Sequence, residues 1–74
     1  MSEQANDLAS RLVHARTALD LTQVQVAVDA MVAPETLRKA ESGGSLQHST
    51  RQRLEAWLAR ADRRIALRNQ GGER

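Results

Sequence analysis

The chain has 74 residues, no cysteine, one aromatic residue (Trp57) and a formal charge of +2. That length makes one small domain, the missing cysteines exclude a disulfide frame, and no apolar run approaches the roughly 20 residues of a membrane span. The charge is uneven: residues 1–44 carry a net −2, residues 45–74 a net +4 through seven arginines. DNA affinity depends largely on neutralised phosphates, so the acidic first half counts against a nucleic-acid role and the basic second half for it. No charged-then-apolar leader is evident, and a cytoplasmic location is the expectation. Chains this small often complete their cores by pairing, so a homodimer is expected.

Residues 1–6 are polar and read as a flexible lead, with Asn6 as N-cap and Asp7 set well against the helix dipole. Leu8, Leu12, Ala15 and Leu19 recur at the spacing of an amphipathic helix. Asp20 marks its end only weakly, because glycine or asparagine is the usual stop. Residues 22–30 are ambiguous: Val24, Val26 and Val28 alternate like a strand, yet Val26, Ala27 and Ala30 also share a helical face. Thr22 followed by Gln25 forms a capping-box pattern, and a lone strand would have no partner, so helix is the reading. Pro34 suits the first position of a second short helix, with Leu37 and Ala40 inward and Ser42-Gly43-Gly44 as its stop. Ser49 with Gln52 is another capping-box pattern, opening a helix to about Arg68 on which Leu54, Leu58, Ala61 and Ile65 recur beside Trp57. Residues 69–74 read as a flexible tail, and the chain contains no internal repeat.

Two short helices joined by a tight turn, the second presenting its outer face, suggest DNA reading. In this stretch Leu21-Thr22-Gln23, Ala27, Val32 and Glu41-Ser42-Gly43 stand in one ungapped register. On these residues the chain resembles the Cro/CI-type (Xre) helix-turn-helix family of phage and bacterial regulators, over roughly residues 8–59. The resemblance implies an all-α, compact four- to five-helix bundle of the lambda-repressor-like DNA-binding type with a long C-terminal helix. The domain would cover 7–68, with the helix-turn-helix at 22–42 and the C-terminal helix at about 49–68. Two departures from the family pattern stand out: Met31 stands where the turn usually has glycine, and Ala33-Pro34 replaces a serine and a polar base-reading residue. A left-handed Met31 would cost on the order of 1 kcal/mol relative to glycine.

The resemblance further implies that Arg38 and Lys39 face the major groove, that Gln23 meets a phosphate, and that Arg16 pairs with Glu41. Arg38 can hold guanine O6 and N7 bidentately; Thr36 and Glu35 are secondary readers, the glutamate by accepting from cytosine N4. Ser42, Gly43, Ser45, Ser49, Thr50 and Arg51 surround a helix start whose N–H groups could seat phosphates. The alternative for each exposed charge is a solvated helix face. The stripe Trp57, Leu58, Ala61 and Ile65 either caps the monomer core or forms a two-fold dimer interface; the dimer is favoured.

The expected function is a transcriptional regulator, a dimeric repressor that binds a palindromic operator in double-stranded DNA, with its own operon as one candidate target. Activation is equally compatible. The alternative is a protein-interaction module, such as an antitoxin or antiactivator-type partner, toward which the acidic first half and Pro34 lean. His14 and His48 lack the spacing of a metal site, and no nucleophile arrangement or glycine-rich phosphate loop is present. Neither an enzyme, nor a cofactor, nor a small-molecule ligand is expected.

Overall fold

The computed structural model describes residues 2–72, with side chains for residues 8–69. Four helices follow one another: α1 (Ser2–Ala18), α2 (Gln23–Ala30), α3 (Pro34–Glu41) and α4 (His48–Gly72). Among the described residues there is no strand. The apolar stripe of α1 faces inward, with Leu8, Leu12 and Ala15 buried. Asn6 lies inside α1 instead of capping it, because Glu3, Gln4 and Ala5 are good helix formers that carry the helix further back. Met1 lies outside the described residues.

The valine alternation of 22–30 resolves as a helix. Thr22 Oγ1 accepts from the Gln25 backbone N–H at 3.1 Å, and the Thr22 N–H donates to Gln25 Oε1 at 2.8 Å, a complete capping box. Val26, Ala27 and Ala30 are buried, whereas Val24 and Val28 point outward. Leu37 and Ala40 are the buried residues of α3.

Helices α1, α2 and α3 end in the same way. Each is followed by a left-handed residue: Asp20 (φ 60°), Met31 (φ 64°) and Gly43 (φ 86°). The next N–H reaches back five residues in all three cases, from Leu21 to Arg16 O, from Val32 to Ala27 O and from Gly44 to Lys39 O. This paired closure satisfies carbonyls that a helix end otherwise leaves open.

Helix α4 packs against α1 and α2. Its 25 residues make a rod of about 37 Å at 1.5 Å per residue, close to the longest molecular dimension of 41 Å. It begins at His48, so Ser49 falls within its first turn and is not the cap; the Arg51 N–H bonds to Gln47 O at 2.9 Å. Leu46, partly buried against the core, anchors the preceding loop and lets the helix start early. Residues 69–72 continue α4, and Glu73 and Arg74 lie outside the described residues.

The core joins Leu8, Leu12 and Ala15 to Val26, Ala27, Leu37 and Ala40, and these to Leu54, Trp57, Leu58 and Ala61. This corrects one expectation. Trp57, Leu58 and Ala61, offered above to a second copy, are 0%, 1% and 1% exposed within a single chain. The monomer needs its largest side chains to cover α1 and α2, and only Ile65 remains at the edge, partly buried. The Trp57 indole N–H also donates to Asp29 Oδ2 at 2.9 Å, tying α4 to α2.

Three arginines of α4 add to that tie. Arg53 donates to Met31 O (3.0 Å), Arg60 to Asp29 O (3.2 Å) and Arg68 to Ala18 O (2.9 Å). All three acceptors are carbonyls at the C-terminal ends of α2 and α1, where cations are favoured by the helix dipole at about 0.3–1 kcal/mol each. Much of the basic charge of the second half is therefore engaged within the fold.

Candidate nucleic-acid interface

The outer face of α3 is set by what holds its inner face. Glu41, at the end of α3, has a side chain only 6% exposed. Its Oε2 accepts from Arg16 Nε at 2.8 Å, and its Oε1 accepts from Arg16 Nη2 at 3.2 Å and Gln23 Nε2 at 2.9 Å. Arg16 Nη1 also donates to Leu21 O at 3.3 Å. One carboxylate thus ties α1, the start of α2 and the end of α3 together. The bidentate geometry is the strong form of such a pair.

With α3 pinned through Leu37, Ala40 and Glu41, the remaining positions face solvent. Glu35, Arg38 and Lys39 are exposed and Thr36 is half-buried. Among the described residues neither the Arg38 guanidinium nor the Lys39 ammonium has an intramolecular partner. A shallow cleft of about 290 Å³ runs from Thr36 and Lys39 to Ser45, Gln47 and Thr50, with Leu46 as its floor. Residues from α3, the following loop and the first turn of α4 therefore line one polar surface. Ser49 and Arg51 are exposed on that turn; Arg51 lies 3.8 Å from Glu55, both half exposed, a contact worth little.

Two of the proposed phosphate contacts have internal partners. The Gln23 amide N–H₂ is directed to Glu41, and the Ser42 hydroxyl donates to Arg38 O at 2.9 Å. Gly43 is exposed and left-handed, as the α3 stop requires.

No family model, curated protein or solved structure matches this chain. The site therefore rests on its own geometry. Among the described residues no group of three or more His, Cys, Asp or Glu could hold a metal ion, and no helix is long and apolar enough to cross a membrane.

Sequence marks Gly44 only as part of a helix stop, not as a neighbour of Lys39. A Cβ there would stand 2.6 Å from Lys39 Cγ and 3.2 Å from Lys39 O, so its absence lets the loop press against the base of the Lys39 side chain. The pair Gly43-Gly44 signals a helix stop in sequence, but which neighbour the second glycine approaches depends on the packed structure. The role of Asp29 as acceptor for the Trp57 indole is equally invisible in sequence, since 28 residues separate them.

Proposed function

We propose that this protein is a DNA-binding transcriptional regulator of the Cro/CI (Xre) helix-turn-helix type, a lambda-repressor-like bundle. It binds a palindromic operator as a homodimer, with α3 in the major groove. The observation that carries this reading is the pair Arg38 and Lys39, cations unpartnered among the described residues on a helix whose opposite face is locked by Leu37, Ala40 and Glu41. Preorganisation of that kind lowers the ordering cost of binding. Arg38 takes a guanine edge and Thr36 contacts the neighbouring base, while Glu35 accepts from a cytosine amine. Lys39, Ser45, Ser49, Thr50 and Arg51 supply phosphate contacts along the cleft and the start of α4. Gln23, Ser42 and Gly43 contribute beside them, Gln23 while keeping its bond to Glu41. Repression by occluding a promoter follows as the simplest outcome, in the cytoplasm, without cofactor or small-molecule effector.

A second reading has a specific observation behind it. Val24 and Val28 are 58% and 72% exposed on the side of α2 away from the core, which suits a protein-interaction module such as an antitoxin or antiactivator-type partner. The two separate in a mobility-shift assay at low salt with duplexes selected from a random pool. The regulator enriches one sequence, and Arg38→Ala lowers the preference for it by about 1–3 kcal/mol while far-ultraviolet circular dichroism stays unchanged. Wild-type protein that enriches nothing would leave only the interaction module.

A further inference from the structure

Among the described residues, the exposed large apolar side chains are Val13, Val24, Val28, Met31 and Leu67. Val24 and Val28 are one helical turn apart on α2, and Met31 follows three residues on. Leu67 stands three residues after Arg64 and seven after Arg60, on the flank of α4 that these arginines occupy. Four of the five therefore belong to the α2–α4 side. At its centre lies an open groove of about 420 Å³ lined by Leu21, Val24, Gln25, Val28, Asp29 and Arg64. β-Branched residues lower helix propensity, so two exposed valines in an eight-residue helix burden α2 locally and also leave apolar surface in water.

The rim of the groove shows what fits it. It holds one acid and one base. Among the described residues, Asp29 uses Oδ2 for Trp57 and has no partner for Oδ1, and Arg64 has no intramolecular partner. An acidic partner would meet Asp29 and a basic one would meet Arg64, each at a like-charge cost. A second copy turned about a two-fold axis satisfies both, because an isologous interface brings each residue's counterpart from the other side.

We propose that the Leu21–Val24–Val28 groove and the Arg64–Leu67 edge of α4 form the homodimer interface, with Arg64 of one protomer facing its partner's Asp29. This deepens the dimeric part of the function proposed above and replaces the buried stripe of α4 as the contact. Apolar side chains occupy the centre and the charged pair the rim, the usual anatomy of a specific interface.

Sedimentation equilibrium on the full chain tests this. The wild type is expected to shift from 8.2 kDa toward twice that mass as concentration rises. Val28→Glu places a charge on each side of the two-fold and raises the dimer dissociation constant at least about a hundredfold. Val24→Glu does the same, and Arg64→Glu weakens the dimer by a smaller factor. Val24 and Val28 are exposed in the single chain, so circular dichroism and melting of the glutamate variants remain near wild type, apart from the lost association. A wild type that stays at 8.2 kDa at every concentration, or glutamate variants that sediment as the wild-type dimer, would overturn the proposal. Arg38→Ala separates the two readings: it keeps the dimer mass and loses DNA preference. A dimer sensitive to Val28→Glu that binds no DNA supports this face and removes the regulator.

Discussion

Asp20 and Met31 hold backbone conformations that cost an L-residue roughly 1–2 kcal/mol, at φ 60° and 64°. Aspartate is enriched at positive φ relative to most residues; Met31 has no such tolerance and is 73% exposed. Met31→Gly therefore removes strain without opening a cavity. Glycine also enlarges the unfolded ensemble by about 0.4–1 kcal/mol, leaving a net gain of roughly 0.5–1 kcal/mol. A melting temperature about 3–6 °C higher is expected, and a variant that melts lower than wild type would contradict the strain at this turn. Glu41 is the opposite case, a residue whose partners are indispensable. Arg16→Ala leaves that carboxylate with Gln23 alone, at a cost of about 3 kcal/mol, the low end for breaking a buried pair because the Arg16 side chain keeps 23% exposure. Its melting temperature should fall by at least about 10 °C. An unchanged melting curve would refute the tie between α1 and α3. Gly44→Ala should displace Lys39 and weaken binding to any duplex, with stability as the independent control.

At the scale of elements, α4 acts as a splint along the ends of α1 and α2. Trp57→Phe gives up the bond to Asp29 and leaves a gap where part of the fully buried indole stood, and a loss of about 2–3 kcal/mol is expected. Trp57 is the chain's sole tryptophan, so its fluorescence reports that contact directly: blue-shifted and shielded from quenchers in the native state. An emission maximum typical of water-exposed indole would contradict its burial. Much of this architecture is legible in the sequence, and for identifiable reasons. The α1 stripe, the Thr22–Gln25 cap, Pro34 and Gly43 act within one or two turns of chain, where spacing alone determines geometry. The tertiary uses of one residue type are not legible. Arg53, Arg60 and Arg68 read as general basic charge, yet they bond carbonyls 22, 31 and 50 residues away. The α4 stripe was ambiguous for the same reason: periodicity shows that a face is apolar, not whether it meets its own chain or another. Val24, Val26 and Val28 alternate as in a strand, where they would share one face, but in the helix Val26 is buried and the other two are exposed.

For the whole molecule, the partition of arginines between structure and solution sets how many cations the proposed regulator would offer to DNA. With three engaged by helix-end carbonyls and Arg16 by Glu41, the cations left near the α3 face are Arg38, Lys39 and Arg51. In the proposed regulator a single copy would make few phosphate contacts, and two copies would be needed to accumulate affinity, as two-fold operators allow. Each phosphate neutralised contributes about 0.9 to the slope of log K against log salt, so the slope counts the contacts made by the assembly. The most direct measurement is a salt series of binding to the DNA upstream of the protein's own gene, against a scrambled duplex of equal length. The account predicts tighter binding to the upstream DNA at every salt concentration, a linear salt dependence, and loss of the preference, with most of the slope retained, in Arg38→Ala. Equal affinity for both duplexes, or no binding to either at about 50 mM salt, would contradict it.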